Sequence, residues 1–239
     1  MSSSARSQWL EQMRRQMAAL GGAVSRETEL LSAGQGGLLD RLLARESPRQ
    51  GLLMDWLARD GGSGAWLLAL LTIRDRRPLV IIDEQREFCP SQAAALGLDL
   101  SGVIVVLPDS RHDLLWAWEQ ALRSPQMTVV GQLESLPTPA QRRLKLAAEQ
   151  GGGWGVMLRS ARQRSTAAWA DLRLLVTAVP TPPEGRRSLT RRMRVEVLYA
   201  RGRLDQQQLL VEVDDETASV SLVSELANPT SQGRPSRAS

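Results

Sequence analysis

Short apolar runs separated by stretches of helical length dominate the middle of the chain. Leu52-Leu53-Met54-Asp55-Trp56-Leu57, Leu79 to Ile82, Val103 to Leu107, Thr128-Val129-Val130 and Gly155 to Leu158 each read as a strand. Because they are apolar almost throughout rather than at alternate positions, they predict a mainly parallel sheet covered on both faces. Three intervening segments read as helices: Ala65 to Ile73, a stretch capped by Asp109 or Ser110 and running to Arg123, and Pro139 to Gln150. In the second, Leu114, Leu115, Trp118 and Leu122 fall on one face. After residue 170 the pattern changes. Leu172 to Val176, Arg194 to Tyr199 and Leu209 to Val213 alternate or sit close together, which predicts an antiparallel extension of the same sheet.

The ends differ from this core. Trp9, Met13, Met17 and Leu20 are spaced to share one helix face, suited either to packing on the chain's own domain or to binding a partner. Asn228 to Ser239 is rich in Ser, Pro and Gly and is expected to be disordered. The expected organisation is an N-terminal helical extension over 1–33, an α/β core over 34–225 and a disordered tail over 226–239.

Composition narrows the chemistry. No apolar run approaches the roughly 18 to 20 residues a membrane span needs, and no signal-peptide core follows the polar start, so a cytoplasmic protein without membrane contact is expected. Cys89 is the single cysteine, which rules out an intramolecular disulfide and cysteine-rich zinc sites; it is expected to be a buried structural thiol. His112 also stands alone, at a helix start, and reads as a surface or capping residue. Together they leave little for nucleophile-and-base catalysis, and no metal site is expected.

Charge is unevenly spread. Residues 1–158 balance, whereas residues 159–203 hold eleven arginines against three acidic residues, and the stretch from Leu204 onward is acidic. Lys145 is the sole lysine.

Gly61-Gly62-Ser63-Gly64 follows the first strand and opens a helix, the place where an α/β sheet binds phosphate through backbone amides and a helix N-terminus. The full phosphate-loop signature needs an earlier Gly, then Gly-Lys-Ser/Thr. With Gly64 as the second glycine, those other positions hold Arg59, Ala65 and Trp66. Ala65 brings no charge to a phosphate and Trp66 no hydroxyl to a magnesium ion. The loop therefore reads as a degenerate phosphate loop, either a bare strand-to-helix turn or a residual nucleotide or anion site. No cofactor is expected.

Around this loop the sequence resembles the RecA family. The resemblance is carried by Ser32-Ala33-Gly34, Leu38-Leu39-Asp40, Pro48-Arg49-Gln50-Gly51, Asp83-Glu84-Gln85, and Leu96-Gly97-Leu98-Asp99-Leu100, in order over about residues 30–215. It implies a RecA-like P-loop NTPase fold. In that family an acidic residue two positions after the strand-end aspartate activates water; here the position is Gln85, with Glu84 beside it as a displaced acid. The metal-site aspartate of the fourth strand would fall at Gly131. The resemblance thus implies a fold without ATPase turnover.

Within that superfamily the chain is most similar to the ImuA-type proteins, described as SulA- or RecA-like. Gly61 to Leu70, Asp83 to Leu100 with Phe88-Cys89-Pro90, Leu114 to Arg123, Leu158 to Arg162 and Trp169 to Leu174 carry this likeness. It implies a damage-induced accessory factor in translesion DNA synthesis, partnered by the Y-family polymerase homologue ImuB, an error-prone replicative-type polymerase and RecA. The rivals are a RecA-type ATPase using Glu84 and a SulA-like inhibitor of cell division.

Arg159, Arg162 and Arg164 follow a strand end where the RecA family carries loops that touch single-stranded DNA, and Trp169 offers a stacking surface. Arg186, Arg187, Arg191 and Arg192, with Arg194, form a second cluster. The two clusters are the candidate contacts to single-stranded DNA or to a partner protein; plain solvation is the third reading.

Overall fold

In the computed structural model, strand β1 (Leu52–Ala58) is buried along almost its entire length, because it lies inside the sheet with a neighbour on each side. The structure describes residues 15, 51–59, 63–76, 78–180, 190–201 and 207–226. The expected disordered segment from Asn228 and, apart from Arg15, the expected N-terminal extension lie outside them.

After β1 come α1 (Ser63–Ile73), β2 (Leu79–Ile82), α2 (Pro90–Ala95), β3 (Val103–Val106) and α3 (Arg111–Arg123). Then follow β4 (Thr128–Gln132), α4 (Thr138–Gly151), β5 (Trp154–Ser160), β6 (Leu172–Val179), β7 (Thr190–Ala200), β8 (Gln208–Asp214) and β9 (Ser219–Leu226). All nine strands form one sheet in the order β3-β2-β4-β5-β1-β6-β7-β8-β9. The first six are mutually parallel, and they include β6, whose segment Leu172 to Val176 was expected in the antiparallel extension but pairs parallel with β1; β7, β8 and β9 are added antiparallel, as expected for Arg194 to Tyr199 and Leu209 to Val213.

The two faces have separate cores. On one, Met54 and Trp56 of β1 pack with Leu68, Ile73 and the inward residues Met193, Val195, Val211 and Val213 of the antiparallel strands, beneath α1. On the other, Leu53, Val80, Val129 and Met157 pack against Leu114, Trp118 and Leu122 of α3 and Leu144 and Ala148 of α4. Leu115 is only partly buried at the edge of that core.

Local signals set the helix ends. Of the two candidate caps for α3, Ser110 takes the position, its hydroxyl accepting from the Asp113 amide. Helix α4 begins with Pro139 in its first turn and ends at Gly152, whose φ of 69° is the left-handed conformation that suits glycine. Cys89 departs from expectation: it precedes α2 half-buried, within 3.2 Å of the Ser91 hydroxyl, because the six-residue helix is too short to enclose it. That contact holds the thiol below its ordinary pKa.

Candidate functional site

Parallel strands gather the groups that follow them at their C-terminal edge, which is where the sequence places its degenerate phosphate loop. Gly61 and Gly62 lie outside the described residues, and Ser63 is described only as the first residue of α1. Gly64 sits where α1 crosses β7; a Cβ there would lie 3.1 Å from the Met193 sulfur. Ala65 is buried on the inner face of α1, and the partly buried Trp66 packs on the same core cluster. Neither side chain is presented as a phosphate or metal ligand. Arg59 is exposed at the end of β1.

Gly131, next to last in β4, pairs with Ile82 of β2. A Cβ at Gly131 would fall 2.3 Å from the Ile82 carbonyl oxygen, so the two backbones approach too closely for any side chain, an aspartate included. The adjoining Gln132 amide instead donates to Glu87, at 3.1 Å. At the end of β2, Asp83 is buried and its two carboxylate oxygens accept the Glu87 and Phe88 amides, at 3.0 and 2.9 Å. The carboxylate thereby closes the turn that follows. Glu84 and Gln85 project from that turn into solvent. Among the described residues no three His, Cys, Asp or Glu side chains cluster in a way that could hold a metal ion.

The feature that sequence reasoning missed is a buried charge cluster. Asp55, in the middle of β1, is fully buried, and Arg159 of β5 and Arg173 of β6 close on it from either side. The Arg159 Nη1 lies 3.2 Å and the Arg173 Nε 3.1 Å from the same oxygen, Asp55 Oδ2. The Arg159 N–H donates a hydrogen bond; the Arg173 Nε–H is not aimed at the oxygen, so that contact is an ion pair without a formal hydrogen bond. Burial pushes the Asp55 carboxyl above its ordinary pKa, against the pull of both guanidiniums.

The other guanidinium hydrogen bonds reach the crossover between β5 and β6 and, through Glu134, the turn after β4. Arg159 donates to the Glu134 carbonyl and the Gln163 side chain. Arg173 donates to the carbonyls of Thr166 and Gln163. The segment from 161 to 171, which contains no α-helix, is therefore fastened to the sheet by two arginines that rest on one carboxylate. A signal was present in the sequence: a lone Asp inside an otherwise apolar strand must find buried cationic partners.

The candidate contact residues consequently separate. Arg159 is buried and committed to Asp55, so it offers nothing to a partner. Arg164 is exposed and pairs with Glu196 at 2.7 Å. Arg191 pairs with Asp215 at 2.8 Å and Arg192 with Glu212 at 2.5 Å. Arg162 is exposed and has no ion-pair partner among the described residues. Arg186 and Arg187 lie outside them. The turn after β5 and the start of β7 both fall toward the C-terminal ends of the parallel strands, so the fold brings the described members of the two clusters to one end of the sheet. Trp169 is 44% exposed.

No family model matches the chain, and no curated protein matches it in sequence. The fold is shared nevertheless. The crystal structure of the RadB recombinase is similar with a TM-score of 0.54 at 15% identity, over 75% of this chain and 94% of that one. The chain has the RecA-like α/β fold, a mostly parallel sheet with helices on both faces and antiparallel C-terminal strands. Among the described residues no helix is long and apolar enough to cross a membrane.

Proposed function

We propose that this chain is a non-catalytic RecA-like accessory protein of the DNA-damage response, of the ImuA type. In this reading it acts in translesion synthesis as an adaptor for an ImuB-like polymerase homologue and an error-prone replicative-type polymerase, with RecA and single-stranded DNA as further contacts.

The observation that carries the proposal is the backbone contact at Gly131. A position that a phosphoryl-transfer site fills with a metal-binding carboxylate is closed to any side chain. Burial of Ala65 and packing of Trp66 support it, because the lysine and hydroxyl positions have been absorbed into the core. An adaptor needs the scaffold and its surfaces, and the nine-stranded sheet with helices on both faces supplies them. Affinity capture of the tagged chain from damage-treated cells tests this reading. Polymerase subunits are the expected partners; cell-division proteins in their place contradict it.

The exposed Glu84, one residue from the position of the family's base, favours a second reading, a RecA-type ATPase with a displaced acid. For DNA contact the surface candidates are Arg162, Arg164, Arg191 and Arg192. Binding to them would weaken steeply with salt as counterions are released.

A further inference from the structure

Away from the glycine loop, toward the N-terminal end of β6, α4 and the strand ends enclose an open groove of about 390 Å³. Leu146 on α4, Trp169 on the crossover and Tyr199 near the end of β7 line it, and these side chains are 47%, 44% and 51% exposed. They are three of the seven large apolar residues that stand exposed among the described residues, gathered on one concavity. Exposed aromatic side chains beside arginine are the composition of protein-binding hot spots.

The groove's walls are tied together by hydrogen bonds and ion pairs. The Trp169 amide donates to Gln141 of α4, and Asp171 on the floor accepts the Leu53 amide at 2.9 Å. The two acidic groups of the lining are already engaged: Lys145 contacts Asp171 at 2.6 Å and Glu149 at 3.2 Å, and Arg201 lies 3.5 Å from Asp171. Arg142 has no ion-pair partner among the described residues and holds its guanidinium 5.6 Å from the Trp169 ring centroid, and Arg201, two-thirds exposed, keeps only its long contact to Asp171.

We propose that this groove is the docking site for a short acidic peptide segment of a partner protein. The segment sets one large apolar side chain between Trp169, Tyr199 and Leu146 and turns its carboxylates to Arg142 and Arg201. Three features favour a peptide over nucleic acid. The lining carries three basic groups against two acidic ones, which is no continuous track for phosphates. Its one lysine is neutralised in place by Asp171 and Glu149. Its volume suits a few side chains of a linear motif rather than a folded domain. The inference gives the adaptor reading a specific surface, and it concerns a site separate from the glycine loop.

The test uses the full chain and a random peptide library selected against it. The expected winners pair an aromatic residue or Leu with neighbouring Asp or Glu. In fluorescence anisotropy, a winning peptide should lose roughly tenfold or more in affinity to Trp169→Ala and to Arg201→Glu. A peptide with its acid changed to Lys should regain affinity for Arg201→Glu. Unchanged thermal melting of both variants excludes misfolding, and an Arg142→Glu variant gives an independent readout on an exposed side chain. Oligothymidylate should not compete. Absence of acidic winners, equal binding to wild type and variants, or a Trp169-dependent complex with oligothymidylate overturns the proposal. None of these results bears on ATP turnover or on polymerase capture, so the groove can fail while the adaptor reading stands.

Discussion

The C-terminal ends of β2 and β4 and the crossover from β5 to β6 sit in the same sheet and use charge in opposite ways. At the first, the side chains that a phosphoryl-transfer site would employ are gone: Gly131 has no room for one, Asp83 is spent on the Glu87 and Phe88 amides, and Glu84 hangs in solvent. At the second, Asp55, Arg159 and Arg173 are buried at great cost in desolvation and are spent on one another and on backbone carbonyls, where they fix the path of an eleven-residue segment that has no α-helix to hold it. The difference teaches that a buried charge cluster in this sheet can serve the backbone: here it fastens a connection that no α-helix holds.

Breaking the crossover's anchor should give the largest effect. Asp55→Ala leaves two guanidiniums buried without a counter-charge and should cost about 3–5 kcal/mol in urea unfolding. Replacing all three members with apolar residues of similar volume should recover much of that loss, since the cluster's desolvation penalty disappears with its charges. If the single and triple variants were equally damaged, the cluster would not be an electrostatic unit.

The next effect lies at the other region. Gly131→Asp, which returns a carboxylate to the family's metal position, should destabilise the fold by about 1–3 kcal/mol through its collision with the Ile82 carbonyl, without creating turnover. A stable variant with magnesium-dependent activity would mean that β2 and β4 part easily.

A smaller effect is expected at the turn joining β8 to β9. The amides of Thr217 and Glu216 bond Asp214 and hold its carboxyl below the usual carboxylate range. A depressed folded value contributes stability above the unfolded pKa, and that contribution is lost as pH falls through the folded value. Asp214→Asn should therefore flatten part of the acid limb of a stability–pH profile. The smallest change is expected for Arg164→Ala. Its surface pair with Glu196 should contribute only about 0–1 kcal/mol, so any large loss of DNA or partner binding in this variant would report function rather than folding.

The largely apolar runs made β1 to β5 legible, because strands inside a sheet covered on both faces have no polar alternation to confuse their length, and the edge strand β3 is apolar throughout as well. The antiparallel turn of the pattern was equally plain in Leu209 to Val213. Strand β9 was not, since Ser219, Ser221 and Ser224 interrupt its apolar residues and leave no run long enough to stand out. Helix α2, six residues long, offers too little periodicity to detect. For the site, Ala65 and Trp66 could be read from the phosphate-loop spacing and Gln85 and Gly131 from the resemblance to the RecA family, but the reason for Gly131 could not, because the approach of Ile82 is a property of strand pairing. Arg159 was misleading for a related reason: its sequence neighbours Arg162 and Arg164 are exposed, and only the pairing of β1 with β5 puts Asp55 beside it.

The central claim is that this RecA-like scaffold does not turn over ATP. Phosphate release by the purified full chain, measured with Mg-ATP in the presence and absence of single-stranded DNA, tests it most directly. The account predicts release no faster than in buffer alone and no change on Glu84→Gln. Steady magnesium-dependent release that Glu84→Gln abolishes would contradict it.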